Sequence, residues 1–302
     1  MQRRELLLTA VTTPAFGVGL SASAATPGAT SRNQPIQIRT REGVGLFHRE
    51  WGTGKPVLFV HSWALSSVIW RYQLGRLAEQ GLRCITFDRR GHGRSDVPGW
   101  GYDMDTLADD LQTVIETLDL RDVVLVGHSM GCGEIVRYLG RHGTARVAKV
   151  ALLAPVTPFL TQTSDNPYGA TRAYFEARWD EWQIDFPKWI EDNKLSAFTP
   201  ETSVQMMDWL VREMAQADLP AIIACSRASS ATDLRPDLAR IDCPVLILQG
   251  DKDMSAPLEA TGRRTAAGIK NALLKVYPGA PHLLPVTHVK EVNADLLHFI
   301  KG

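Results

Sequence analysis

Ser129 lies in Gly127-His128-Ser129-Met130-Gly131, between the apolar run Val123-Val124-Leu125-Val126 and a stretch with helical spacing, Glu134-Ile135-Val136-Arg137-Tyr138-Leu139. A serine at that junction can be held on a sharp strand-to-helix turn. The flanking glycines leave room for so tight a turn, and the following helix points its N-terminal dipole at negative charge forming nearby. This is the setting of a nucleophilic hydroxyl. The pentapeptide alone arises by chance in about one chain in ten of this length, so its weight depends on partners further along the chain. A hydroxyl stays inert until a base takes its proton and a carboxylate orients that base.

Both partners are expected on loops after later strands, acid first and histidine second. Val245-Leu246-Ile247-Leu248-Gln249 reads as a buried strand running into Gly250-Asp251-Lys252-Asp253. Leu273-Leu274-Lys275-Val276-Tyr277 reads as the next, running into Pro278-Gly279-Ala280-Pro281-His282. Of the eight histidines, His282 is the one in a turn after a C-terminal strand, which makes it the predicted general base. His288 and His298 fall on the predicted last helix, and His92 and His142 in turn or helix-end contexts; all four read as packing or solvated residues. Spacing leaves Asp251 and Asp253 both open as the acid. Acyl transfer also needs fixed N–H donors where a tetrahedral oxygen develops charge. The Met130 N–H, next to the nucleophile, is one. The other is expected in His61-Ser62-Trp63-Ala64-Leu65, the loop after the early strand Val57-Leu58-Phe59-Val60.

The elements that must position these groups alternate along the chain. Ile36–Arg41 and Val44–Arg49 predict an antiparallel pair around Glu42-Gly43, and a third strand leads into the loop with Trp63. The spacing then predicts a helix over Val68–Gln80, a strand over Arg83–Phe87, a helix over Thr106–Leu118 and a strand over Val147–Leu153. Such alternation favours an α/β sheet covered on both faces. Asp88 through Asp96 reads as a brace for the loop after its strand. Between Pro155 and Asp242 the alternation stops, and Phe159, Tyr168, Tyr174, Phe175, Trp179, Trp182, Phe186, Trp189, Phe198 and Trp209 follow at largely helical spacing. This insertion predicts a helical cap in which most aromatics join helices and two or three face the nucleophile as an apolar pocket.

From about Arg41 to the C-terminus the chain resembles the α/β-hydrolase superfamily, and within it the cofactor-free haloperoxidase and aryl esterase group. The resemblance is carried by Phe87-Asp88-Arg89-Arg90-Gly91-His92-Gly93-Arg94-Ser95-Asp96, by Gly101-Tyr102-Asp103-Met104-Asp105-Thr106, and by the elbow with its preceding Arg121-Asp122-Val123-Val124-Leu125. Tyr138-Leu139-Gly140-Arg141-His142-Gly143 and Ala280-Pro281-His282 add to it. It implies a mostly parallel eight-stranded sheet with helices on both faces and a helical cap, and no cofactor or metal. It also implies that the acid is Asp253, three residues after the strand-ending glycine, which leaves Asp251 to hydrogen bonding within the loop. The second oxyanion donor carries over to the N–H of Trp63.

Three positions depart from the family pattern. Ser62 stands where a glycine is usual, and its Cβ could crowd the loop or its hydroxyl add a hydrogen bond. Ala64 replaces the proline that fixes this loop in haloperoxidase-like members and is associated with perhydrolysis. Cys132 replaces a glycine after the elbow and reads as a small buried packing residue rather than a reactive thiol. The resemblance therefore implies a carboxylesterase or lactonase for small apolar or aryl esters, using Ser129, His282 and Asp253. The alternative is a perhydrolase or cofactor-free haloperoxidase that forms peracids from carboxylic acid and hydrogen peroxide. A non-catalytic binding protein is disfavoured because all three catalytic residue types are retained. Ser129 at the elbow also disfavours epoxide hydrolases and haloalkane dehalogenases, which need aspartate there.

Composition agrees. At 302 residues and 44% hydrophobic content the chain can bury a large core, and 33 basic against 33 acidic residues argue against a nucleic-acid or other polyanion surface. No zinc-type Cys/His spacing or phosphate-cradling glycine loop occurs. Cys84, Cys132, Cys225 and Cys243 form no short-spaced pair, so no disulfide is expected. Arg3-Arg4, the mildly apolar run Thr9–Leu20 and Ala22-Ser23-Ala24 resemble a twin-arginine export signal over residues 1–24. A linker over 25–35 follows, then a hydrolase core over 36–154 and 243–302, with the cap at 155–242. The apolar stretch is short and broken by Pro14, so no stable membrane insertion is expected after cleavage. The mature chain is expected in the periplasm or outside the cell. The oligomeric state, including a homo-oligomer, is left open.

Overall fold

A computed structural model describes residues 37–302. The export segment, the linker and Ile36 of the predicted first strand lie outside the described residues. Eight strands form one sheet: β1 (Gln37–Arg39), β2 (Gly45–Trp51), β3 (Lys55–Val60), β4 (Leu82–Phe87), β5 (Val123–His128), β6 (Val147–Leu153), β7 (Val245–Gly250) and β8 (Ala272–Tyr277). Their order is β1-β2-β4-β3-β5-β6-β7-β8. β1 and β2 pair antiparallel and the sheet is mostly parallel, as predicted; β2 also runs antiparallel to β4, and all other pairings are parallel.

The central strands are apolar at nearly every position because each side chain enters one of two cores. Leu58, Val60, Val123, Leu125, Val150, Leu152, Val245 and Ile247 face one side. Val57, Phe59, Val124, Val126, Ala151, Leu153, Leu246 and Leu248 face the other. Full burial of each large aliphatic side chain contributes about 1.5–3 kcal/mol, so a one-residue slip of any central strand would exchange its two packing sets.

Helices α1 (Arg71–Ala78), α2 (Met104–Thr117) and α3 (Met130–His142) precede the insertion. The insertion carries α4 (Arg172–Asn193), α5 (Val204–Ala215), α6 (Leu219–Ala231) and the short α7 (Arg235–Leu238). The last three are α8 (Gly262–Gly268), α9 (Leu284–Thr287) and α10 (Val289–Lys301). α2 and α3 cover the first core, and α1 and α10 the second. The predicted 68–80 helix begins instead as a 3₁₀ turn, Ser67–Trp70, before α1; Trp70 has φ −86° and ψ 4°, outside the α-helical basin. Phe159, Tyr168 and Phe198 lie outside helices, whereas the remaining insertion aromatics lie on α4 or α5. Asp185 breaks α4 with φ −158° and ψ 81°. Its carboxylate accepts the Lys188 N–H at 2.9 Å, restarting the helix where Pro187 can offer no donor.

Candidate active site

The parallel strands β5, β7 and β8 end on the same side of the sheet, and the loops that follow them bring together residues more than a hundred positions apart. Ser129, between β5 and α3, has φ 54° and ψ −117°. That left-handed backbone is costly for a non-glycine residue and marks a functional turn. Gly131 is obligatory beside it: a Cβ there would lie 2.5 Å from the Val60 carbonyl oxygen and 2.7 Å from that of His61. At Gly127 a Cβ would lie 2.9 Å from the Cys132 nitrogen. The start of α3 is thereby pressed against the end of β3.

Ser129 Oγ donates to His282 Nε2 at 2.9 Å. His282 Nδ1 donates in turn to Asp253 Oδ2 at 2.7 Å, which fixes the imidazole with Nε2 unprotonated. Asp253 Oδ1 accepts the N–H groups of Ser255 at 3.0 Å and Ala256 at 2.8 Å, so the loop itself holds the carboxylate. Asp251 does not reach the imidazole; it is exposed and accepts the Gly279 N–H at 2.7 Å, bracing the turn before His282. Ser129, Asp253 and His282 are 6%, 3% and 9% exposed, so the reacting atoms keep only a narrow opening to solvent.

Met130 is the first residue of α3, where a helix N–H has no intrahelical partner. Among the described residues, the Trp63 main-chain N–H has no hydrogen-bond acceptor. The Trp63 indole donates to the Ile222 carbonyl of α6 at 2.7 Å. Its ring centroid lies 4.5 Å from Trp182, 5.9 Å from Phe186 and 6.1 Å from Trp189, all on α4. These are the insertion aromatics that meet the loop after β3. Trp209 packs instead against Tyr72 and Arg71 of α1. Ser62 is accommodated without a positive φ, and its hydroxyl makes only a 3.5 Å contact with the Trp63 carbonyl. Ala64 has φ 53°, a value the proline ring cannot reach.

Cys132 is fully buried, and burial pushes its thiol well above the usual range, so it is a packing group rather than a thiolate. All four cysteines are buried free thiols. Asp88 accepts the Ser67 N–H at 2.8 Å and the Arg94 N–H at 2.9 Å, the bracing role expected of it.

Two sets of residues near the site escaped the sequence reading. His128 Nε2 donates to the His282 carbonyl at 2.9 Å, and burial, aided by His282, lowers its pKa to about 3. It is thus a neutral prop for the backbone of the predicted base. Arg89 and Glu134 form a fully buried ion pair beside His61. Burial raises the Glu134 carboxyl to about 7 against the pull of Arg89, and burial followed by Arg89 keeps His61 neutral. Only the Asp-Arg-Arg-Gly run hinted at this network, because its members lie 28 and 45 residues apart.

A cleft of about 720 Å³ lies between the segment after β6, α4 and α6, lined in part by Phe159, Phe175, Trp179 and Arg227. Another of about 290 Å³ lies by Arg41, Asp109 and Arg141. Neither is lined by Ser129, Asp253 or His282.

Residues 55–289 match the family described as the alpha/beta hydrolase fold. The chain is 40% identical to the non-heme chloroperoxidase CPO-A1 of Kitasatospora aureofaciens, over 86% of this chain and 98% of that protein. It is 36% identical to the bifunctional esterase/perhydrolase DCH of Acinetobacter calcoaceticus, over 88% and 99% of the two chains. The solved esterase EaEST of Exiguobacterium antarcticum superposes with a TM-score of 0.86 at 30% identity, covering 89% of this chain and 100% of the other. With the elbow, the sheet order and these likenesses in agreement, the chain belongs to the α/β hydrolase fold family.

Proposed function

We propose that this protein is a carboxylic ester hydrolase acting on small apolar or aryl esters, or lactones, through an acyl-serine intermediate. The observation that carries the reading is the continuous chain of hydrogen bonds from Ser129 Oγ through His282 to Asp253. In the first step Oγ attacks the ester carbonyl while His282 Nε2 takes its proton. The Trp63 and Met130 N–H groups hold the developing oxyanion, and losing one such donor typically costs about 3 kcal/mol. Collapse breaks the bond to the alkoxy group, which leaves as the alcohol with the proton from Nε2. Water then gives a proton to Nε2 and attacks the acyl carbon; collapse breaks the acyl–Oγ bond, Nε2 returns the proton to Ser129 Oγ, and the carboxylic acid leaves. Asp253 stays ionised throughout and favours the imidazolium.

In this reading residues 36–154 and 243–302 are the hydrolase core and 155–242 is a cap. Trp182, Phe186 and Trp189, packed tilted or edge-on against Trp63, support an apolar wall next to the oxyanion loop. The substrate is a small molecule, and no cofactor takes part in the proposed steps.

The relatives' names also favour a second reading, peracid formation, in which hydrogen peroxide replaces water as the attacking nucleophile. Ala64 ranks it below hydrolysis, since φ 53° gives this loop a backbone that differs from a proline-fixed one. Hydrolysis of p-nitrophenyl acetate should exceed peracid formation from acetate and peroxide in the native enzyme; the opposite ranking would replace the esterase reading. Ala64→Pro must rotate the loop at Trp63. It is expected to lower hydrolysis by about tenfold or more, equivalent to ~1.4 kcal/mol, and to raise the peracid-to-hydrolysis ratio. An unchanged ratio would remove residue 64 as the discriminator.

We also infer that residues 1–24 direct export to the periplasm or beyond, on the support of Arg3-Arg4, Thr9–Leu20 and Ala22-Ser23-Ala24. A reporter fused to this segment should cross the inner membrane. Equal export after Arg3→Lys/Arg4→Lys would argue against the twin-arginine route.

A further inference from the structure

The peptide unit joining Ser62 to Trp63 is planar, so whatever fixes the Ser62 carbonyl also fixes the opposed direction of the Trp63 N–H. That carbonyl is held twice. Arg89 Nη1 donates to it at 3.2 Å, and His61 Nδ1 donates at 2.8 Å. The imidazole can donate from Nδ1 because its Nε2 accepts the Arg89 main-chain N–H at 2.9 Å, which defines the tautomer. Arg89 Nη2 donates to the neighbouring His61 carbonyl at 2.7 Å. Arg89 Nε donates to Glu134 Oε1 at 2.6 Å, and Nη2 contacts the same oxygen. Glu134 lies on α3, the helix that begins with Met130. A single guanidinium, 1% exposed, therefore ties the loop before Trp63 to the helix that presents Met130.

Stability alone is a poor account of this arrangement, because apolar side chains of similar volume commonly serve as well as a buried ion pair. What apolar groups cannot do is orient two adjacent carbonyls, and the planar guanidinium fork does so from fixed directions. We propose that Arg89 is a positioning residue for the oxyanion hole, aiming the Trp63 N–H at the developing oxygen and keeping it in register with the Met130 N–H through Glu134. The proposal rests on the acyl-serine reading of Ser129. It predicts a loss concentrated in the transition state, since the charge that the two donors serve is absent from the bound ester.

The test uses two variants of the full enzyme. Arg89→Met/Glu134→Leu replaces the pair with apolar groups and leaves no lone buried charge. Arg89→Lys keeps a cation opposite Glu134 but cannot fork to both carbonyls, and it covers the case in which the double variant does not fold. Each is measured for kcat and KM on p-nitrophenyl acetate, for inhibition by phenylboronic acid, and for folding by circular dichroism. The tetrahedral boronate on Ser129 places an oxygen in the hole. Folded variants should lose about 30- to 1,000-fold in kcat, with KM within about threefold and boronate affinity falling in parallel. A folded variant with kcat and boronate affinity within about threefold of wild type would overturn the proposal, as would a loss confined to KM. Ser129→Ala is assayed alongside. If Ser129→Ala retains turnover, the acyl-serine reading itself fails; if Ser129→Ala is inactive and the Arg89 variants match wild type, only the positioning role fails.

Discussion

Ser129→Ala is expected to lower kcat for p-nitrophenyl acetate by about 10⁴- to 10⁶-fold, leaving only what donors and binding supply without a nucleophile. The fold should survive. Alanine keeps the Cβ and the same left-handed backbone at φ 54°, and the one side-chain bond lost is that to His282. The melting temperature should therefore stay within about 4 °C of wild type. Parallel measurement of kcat and thermal melting checks both halves. A stable variant with near-native turnover, in a preparation free of contaminating esterase, would remove Ser129 from the mechanism.

Asp253→Asn should be almost as damaging, with kcat falling about 10⁴-fold. The local hydrogen bonds give a specific reason. Oδ1 of residue 253 accepts two main-chain N–H groups, from Ser255 and Ala256, a place that an amide nitrogen cannot fill. The asparagine oxygen will stay there, and the amide NH₂ will face His282 Nδ1. The imidazole must then accept at Nδ1 and carry its proton on Nε2, so it cannot take the Ser129 proton. KM should change little, because the carboxylate does not touch the ester. Asp251→Asn supplies the comparison: its contact is with the Gly279 N–H, and its effect on kcat should be far smaller. Equal losses in the two variants would contradict the assignment of the acid.

The relative legibility of these features in the sequence follows from the range of the forces that create them. The elbow is a five-residue pattern with two glycines: a Cβ at Gly127 would meet Cys132 within the turn, and one at Gly131 the carbonyls of Val60 and His61 at the end of β3. The central strands are legible for a similar reason, since burial on both faces writes an uninterrupted apolar run. The choice between Asp251 and Asp253 was not legible from spacing. It depends on which carboxylate the loop turns inward, and the resemblance, not the periodicity, favoured Asp253. The roles of Arg89, Glu134 and His128 left no periodic trace, because each pairs with a helix or loop residue distant along the chain and the contacts exist only once the sheet has formed. Among the insertion aromatics, composition announced an apolar layer. Only the α4 break at Asp185 and the packing around Trp63 separate Trp182, Phe186 and Trp189 from those that join helices elsewhere.

Covalent labelling tests the central claim most directly. The enzyme is treated with a p-nitrophenyl alkylphosphonate, which transfers its phosphonyl group to an activated serine and releases p-nitrophenol, and the product is mapped by peptide mass spectrometry. One adduct per chain on Ser129, formed in step with loss of esterase activity and absent from Asp253→Asn on the same time scale, is the predicted result. Labelling at another residue, or full labelling of Ser129 with ester turnover intact, would contradict it.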